Sequence, residues 1–358
     1  MDIIDCDIHN KEKEYKTQGI ITTNMSRAIL KQSSTQIVVE PMSERLGAEV
    51  SNIDLSIPLT TELKEAVINA FHQYKVLFFR KQNLTPSQQI AVVQQFSDVL
   101  NIKAETNQQK ISSKDNLFVH PFLPQKKGEE NIWPVGYNIP YKLNPNARPM
   151  RSVSNGADGL PVVERGTGSW ERDNYTGTSA NVWHADNTFL ERPSSFTVLQ
   201  AKRLPKMGGD TLFVDMSQAY DDLSDEMKEK IKNLKVIHDW RQTFPYFKRA
   251  VTDEQYKKLE QLFPPVAHPV VRTHNVTGVK SLYVNRTFAT HLENQDQELY
   301  NFLADKASVP EYQIRFKWKS IGDIAMWDNR VLQHYAVNDY QGKDRLMEHT
   351  ASLGEKVF

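Results

Sequence analysis

The stretch "YQIRFKW" sets Tyr312, Ile314, Phe316 and Trp318 in strict alternation with Gln313, Arg315 and Lys317. Only an extended strand with one face buried and one face wet gives a period of two. An antiparallel sheet with a solvated side is the arrangement that tolerates it. Further short strands are read at "IVVE", "VLFF", "SSFTVLQA" and "DTLFVD", and "HPVVRTHNVTGVKSLYVN" reads as a hairpin turning at "NVTG". Helical spacing is confined to a few places. Leu63, Val67, Ala70, Phe71 and Tyr74 recur behind Thr60 and Thr61. In "LTPSQQIAVVQQF", Thr85 is the N-cap, Pro86 the first helical residue and Gln88 the closing member of a capping box. "SQAYDDLSDEMKEKIKNL" reads as a helical pair and "QDQELYNFLADKA" as one more helix. Many short strands with few, segregated helices predict a mainly β protein, a sandwich or jelly roll flanked by helices, because parallel βαβ units would alternate regularly.

The boundaries follow texture. Residues 1–36 are polar and aperiodic and read as a peripheral arm, and 37–358 as one domain. Within it, residues from about 107 to 179 turn to Gly, Pro, Asn, Ser and scattered charge, a long loop insertion. A chain of 358 residues that is 39% hydrophobic has enough apolar material for a large core. Lys plus Arg equals Asp plus Glu at 44 each, so no global charge draws it to nucleic acid or to an anionic membrane. The lone cysteine, Cys6, and a polar N-terminus without a signal-like apolar core predict a reducing, cytoplasmic setting. No apolar run approaches the roughly 20 residues needed to span a bilayer. A homo-oligomer stays open.

Chemistry concentrates at "NVWHADNTF". On an extended backbone His184 and Asp186 project from the same side and converge on one point. Alone, the pair fits a core histidine beside a turn as well as a metal site. A second histidine, His334, follows the aromatic strand in "IAMWDNRVLQHYAVNDY". Two histidines and a carboxylate are the facial set suited to non-haem Fe(II), with positions left for substrate and oxygen. The same set with a water holds zinc in hydrolases, so that reading stays open, as does a catalytically silent binding protein. Trp183, Trp327 and Tyr335 flank the three residues.

From Ile37 to Phe358 the chain resembles the taurine dioxygenase family of Fe(II)/2-oxoglutarate-dependent dioxygenases. The resemblance is carried, in order, by "SERLGAEVSNIDLS", "VLFFRKQNLTPSQQ", "WHADNTF", "LPKMGGDTLF", "HPVVRTH", "WDNRVLQHYA" and "DRLMEHTASLG". It implies a double-stranded β-helix, a distorted jelly roll, with His184, Asp186 and His334 as iron ligands and Fe(II), 2-oxoglutarate and O2 as the reacting set. Arg345, eleven residues beyond His334, stands where the family grips the far carboxylate of 2-oxoglutarate, and Thr211 where it donates a hydroxyl to the same group. A guanidinium suits that task because its two parallel donors match a carboxylate. The implied outcome is oxidation of a C–H bond of a small molecule, with release of succinate and carbon dioxide.

The same resemblance assigns the substrate pocket and shows where this chain departs from its relatives. His120 in "VHPF" keeps a sulfonate-binding histidine, and Phe244 and Phe288 match aromatic pocket walls. His349 replaces a second arginine, Leu123 replaces a tyrosine, and Ala180 replaces an asparagine that neighbouring Asn181 could supply. Imidazole is a poor substitute for a permanent two-pronged cation, so taurine is expected to be a poor substrate. Another sulfonate, an alkyl sulfate or an amino-acid-like intermediate of specialised metabolism is expected instead.

Overall fold

The computed structural model describes residues 28–32, 35–99, 117, 131–136, 152–155, 161–164, 182–243, 253–340 and 345–357. Its strands are numbered in chain order. One large sheet runs β1 (Ala28–Gln32), β2 (Thr35–Pro41), β3 (Ala48–Ser51), β4 (Val76–Phe79), β16 (Ile324–Asp328), β8 (Phe196–Arg203), β18 (Leu346–Ala351), β5 (Trp133–Gly136). Every pairing in it is antiparallel except β3 with β4. A second sheet, β15 (Gln313–Phe316), β9 (Thr211–Asp215) and β17 (Leu332–Ala336), is antiparallel throughout. Smaller sheets join β10 (Lys235–His238) to β11 (Val266–Pro269) and β14 (Ala289–Leu292), and β12 (Val271–Thr273) to β13 (Lys280–Leu282). β6 (Ser152–Asn155) and β7 (Pro161–Glu164) form a hairpin.

The apolar run "VLFF" explains how these parts stack. In β4, Val76 and Phe78 enter a core shared with Phe213, Phe316, Trp327 and Met347, between the large and the second sheet. Leu77 and Phe79 point the other way, into a core with Val67, Phe71, Val93 and Phe96 of the helices α1 (Thr61–Tyr74) and α2 (Pro86–Val99). A strand buried on both faces loses its polar alternation, and this one has. Phe78 stacks on Phe316 at 3.9 Å across the sandwich. The architecture is the mainly β jelly roll with flanking helices that the patterning predicted.

The helix ends behave as read. The Thr60 side chain accepts from Leu63 N–H at the start of α1. At α2, Thr85 N–H donates to Gln88 Oε1 at 2.9 Å and Gln88 N–H donates back to Thr85 Oγ1 at 3.3 Å, a reciprocal capping box. No helix among the described residues is long and apolar enough to cross a membrane.

Two features differ from the sequence reading. The polar arm contains β1, which pairs with β2 from Ala28↔Val39 to Gln32↔Thr35, because a ladder of backbone bonds needs no apolar pattern at a sheet edge. The loop insertion likewise contributes β5, which pairs with β18 from Leu346↔Gly136 to His349↔Trp133. The partner of β5 lies far away in sequence and leaves no local mark there.

Candidate active site

His334 lies on β17 in the second sheet, and its backbone exchanges two hydrogen bonds with His184, at 3.1 and 2.8 Å. This isolated antiparallel bridge sets the two imidazole rings 4.0 Å apart. Asp186 follows at the next same-side position, and Asn187, at φ 58°, then ends the extended stretch. Asparagine tolerates that left-handed backbone better than most residues. "NVWHADNTF" is thus a single bridge and a turn rather than a full strand, yet the i, i+2 convergence holds. Asp186 Oδ1 lies 3.9 Å from His184 Nε2 and 3.8 Å from His334 Nε2. One ligand atom from each of the three residues falls within 4.8 Å of the others, and all three residues are buried.

The donor set suits a divalent cation. His184 Nδ1–H donates to the Val182 carbonyl at 2.8 Å, which leaves the Nε2 lone pair for the shared point. Burial pushes the pKa of both His184 and His334 down, against the pull of Asp186, so both rings are neutral. Burial alone would raise the Asp186 carboxyl, but the imidazoles of His334, His349 and His184 outweigh it and hold the group ionised. Two neutral nitrogens and one carboxylate oxygen at one point are what a hard-to-borderline metal needs.

Residues with no signal of their own hold this geometry. Thr197 of β8 donates its hydroxyl to Asp186 Oδ2 at 2.7 Å, and Asn329 Oδ1 accepts the Asp186 backbone N–H at 3.2 Å. The turn after Asp186 is clamped at Thr188. Its hydroxyl meets His238 Nδ1 at 2.8 Å and Asn285 Nδ2 at 3.0 Å, while His268 Nε2–H donates to the Thr188 and Leu190 carbonyls at 2.9 and 3.0 Å. Hydroxyls and amides of this kind are common everywhere in a sequence, and their partners here lie 11 to 143 residues away.

The His268 clamp carries a pH dependence. Burial, with Arg272 adding to it, lowers its pKa from 6.5 to about 4, against the two carbonyl bonds and Glu191. The folded protein favours the neutral ring, so the clamp's contribution is complete above about pH 6.5 and is lost as pH falls toward 4. Across that window His268 alone should remove about 1.4 kcal/mol of stability per pH unit. Urea unfolding at pH 7 and pH 4.5 should show a smaller difference for His268→Gln than for the wild type; equal differences would remove the assignment.

Arg345 immediately precedes β18 and is 2% exposed. Its Nε–H donates to the Gly209 carbonyl at 3.1 Å, and its guanidinium carbon lies 5.5 Å from the centre of the Tyr340 ring. Burial pulls its pKa down while Tyr340, Asp210 and Asp339 oppose the fall. A buried guanidinium is costly without an anion beside it, and a carboxylate ligand would supply one. Thr211, 1% exposed, accepts the Trp318 indole N–H at 3.0 Å, so its own hydroxyl proton is left to donate elsewhere. On β9 it shares a face with Phe213, whose ring lies 6.2 Å from that of His334.

Gly208 and Gly209 both have positive φ, at 79° and 75°. A Cβ on Gly209 would meet Arg345 Cδ and Nε at 3.0 Å. Gly209→Ala should therefore displace the guanidinium as well as strain the backbone by about 1–2 kcal/mol. Thermal unfolding should show the loss, and half-saturation by 2-oxoglutarate should rise several-fold. An unchanged half-saturation would mean that Arg345 does not need this contact.

The remaining expected site residues separate. His349 lies on β18 with its Nε2 3.3 Å from Asp186 Oδ2. Phe288 is buried in an apolar cluster with Phe189, Trp240 and Leu353, its ring 5.2 Å from that of Phe189. Trp327 packs 4.6 Å from the His334 ring, and Trp183 and Tyr335 pack on each other at 5.5 Å. His120, Leu123, Ala180, Asn181 and Phe244 lie outside the described residues.

Comparison with known proteins agrees with this geometry. Residues 39–351 match the family described as "Taurine catabolism dioxygenase TauD, TfdA family". The chain belongs to the TauD/TfdA dioxygenase family. Among curated relatives, an alkylsulfatase of Acinetobacter baylyi is 28% identical, over 89% of this chain and 86% of its own. An alpha-ketoglutarate-dependent sulfate ester dioxygenase of Pseudomonas putida is 27% identical, over 89% and 90%. Among solved structures, a taurine dioxygenase from Burkholderia xenovorans superposes with a TM-score of 0.61 at 24% identity, covering 89% of this chain and 91% of that one. AAD-2, solved in complex with Mn(II) and N-oxalylglycine, gives 0.61 at 25% identity, covering 90% and 98%. The protein is a non-haem iron dioxygenase that uses Fe(II), 2-oxoglutarate and O2.

Proposed function

We propose that the enzyme oxidises a C–H bond of a small sulfate ester or sulfonate, with an alkyl sulfate as the leading candidate. In this reading His184, Asp186 and His334 hold the iron, and Arg345 and Thr211 hold the far carboxylate of 2-oxoglutarate. The single observation that carries the site is the buried His184, Asp186, His334 cluster, in which two neutral imidazoles and one carboxylate meet at one point. The substrate class is supported by two relatives named for sulfate-ester chemistry that align with 89% of the chain. It is supported also by His349, which stands where the taurine dioxygenases carry an arginine and here reaches Asp186.

When bound, iron would activate O2, the oxidant, with 2-oxoglutarate giving up two electrons as it loses carbon dioxide, and the protein supplies binding, orientation and a dry surround. The buried Arg345 guanidinium fixes the far end of the keto acid through charge-assisted bonds. The neutral imidazoles and the fixed Asp186 carboxylate keep the metal set in register. One oxygen atom of O2 goes to succinate and the other to the carbon bearing the sulfate ester. The resulting hydroxylated carbon collapses to an aldehyde as its bond to the ester oxygen breaks, and hydrogen sulfate leaves. The lone Cys6 supports a cytoplasmic setting, with residues 37–358 and the β1 strand of the arm acting as one domain, alone or as a homo-oligomer.

Purified protein with Fe(II), ascorbate and 2-oxoglutarate should form succinate faster with a medium-chain alkyl sulfate than with taurine, with sulfate released in equal amount. Fast taurine-dependent release of sulfite would restore the plain taurine activity. Acceleration by an amino-acid-like compound alone would move the substrate class elsewhere.

A further inference from the structure

We infer that Thr197 and His349 are positioning residues that decide which oxygen of Asp186 meets the metal. The inference rests on the reading of His184, Asp186 and His334 as the ligand set. The two carboxylate oxygens are in different surroundings. Oδ1 faces the Nε2 atoms of both histidines, at 3.9 and 3.8 Å. Oδ2 is turned away and receives the Thr197 hydroxyl at 2.7 Å and His349 Nε2 at 3.3 Å.

The direction of the Thr197 proton is fixed by its neighbours. Asn329 Nδ2 donates to Thr197 Oγ1 at 2.9 Å, so the hydroxyl accepts there and gives its one proton to Asp186. The Asn329 amide is itself oriented, because its Oδ1 accepts from Trp327 Nε1–H at 3.0 Å and from Asp186 N–H at 3.2 Å. The Trp327 ring packs edge-on against His349 at 5.8 Å and tilted against His334 at 4.6 Å. One indole thus braces a ligand and the group that braces another ligand.

Strand β18 adds a link to the co-substrate. Within β18, Met347 and His349 share one face by the period of two, and Met347 lies in the core between the sheets. The strand therefore presents the carboxylate brace toward the interior, and the buried Arg345 immediately precedes it. With Oδ2 capped by two donors, Asp186 would offer a bound metal Oδ1 alone.

The test is the dissociation constant of Co(II), measured without 2-oxoglutarate by competition with a chromophoric chelator, together with the visible spectrum of the bound ion. Thr197→Val keeps the shape and removes the donor, His349→Ala removes the second donor, and His349→Gln keeps a nitrogen donor at similar reach. Thr197→Val and His349→Ala should each weaken Co(II) binding about 10-fold or more and alter its spectrum, and His349→Gln should recover most of the loss. Circular dichroism identifies any variant that fails to fold, and Thr197→Val with His349→Gln then carries the result. Unchanged Co(II) affinity and spectrum in the donor-deleting variants overturns the inference, and a rise confined to the substrate KM of His349→Ala returns that residue to the substrate. If His184→Ala binds Co(II) as tightly as the wild type, the ligand reading itself fails and takes the inference with it.

Discussion

Alanine at His184, Asp186 or His334 is expected to cut substrate-dependent succinate formation about a thousandfold or more while the protein stays folded. The size follows from the worth of a metal's charge in such a reaction, several kcal/mol, at about 1.4 kcal/mol for each factor of ten. Folding should survive because the three ligands border the core clusters around Phe78, Phe213 and Trp327 and around Phe71, Phe79 and Phe96 without belonging to them. The three variants should differ in one respect. Asp186→Ala leaves Thr197 and His349 facing a cavity where they now meet a carboxylate, so it should lose more stability than either histidine variant. Succinate determined by chromatography and the far-ultraviolet spectrum of each variant check both statements. A variant that keeps activity within a few-fold of the wild type removes its residue from the ligand set.

The second large effect is expected at Arg345. Arg345→Lys keeps a positive charge and loses the planar fork, so half-saturation by 2-oxoglutarate should rise about 10-fold or more, with a smaller change in the rate at saturation. Arg345→Met, which removes the charge and keeps most of the volume, should raise it further. Because the guanidinium is buried, the methionine variant is expected to be at least as stable as the wild type without ligand. Titration of initial rate against 2-oxoglutarate separates these cases, and an unchanged half-saturation in both variants would assign the keto acid to another cation.

Much of this architecture is legible before any coordinates. Thr85, Pro86 and Gln88 announce the start of a helix because a capping box is local. "VLFF" announces a strand, and only its burial on both faces needs the fold. His184 and Asp186 are visible as a pair because the period of a strand is fixed, and it survives the turn that begins at Asn187. The rest is hidden for one physical reason. Thr197, Asn329, Thr188 and His268 act through individual side-chain hydrogen bonds, most of them to groups 50 or more residues away, and a hydrogen bond leaves no periodicity. His349 shows both sides of this. Its parity with Met347 could be counted and turns it inward, but which inward group it meets depends on the turn that carries Asp186.

The bridge between His184 and His334 ties two segments 150 residues apart with only two backbone hydrogen bonds. Closing so long a loop costs entropy that local contacts do not repay, so this pairing belongs to the late part of folding. Before the second sheet closes and β18 is laid beside β8, the chain has the ligands but no site. A half-folded chain thus offers iron a loose His-x-Asp pair and no enclosed centre at which a stray oxidant could form. Metal binding then draws the last closure toward completion by mass action, so the apo and loaded proteins should differ most in how often this one bridge opens.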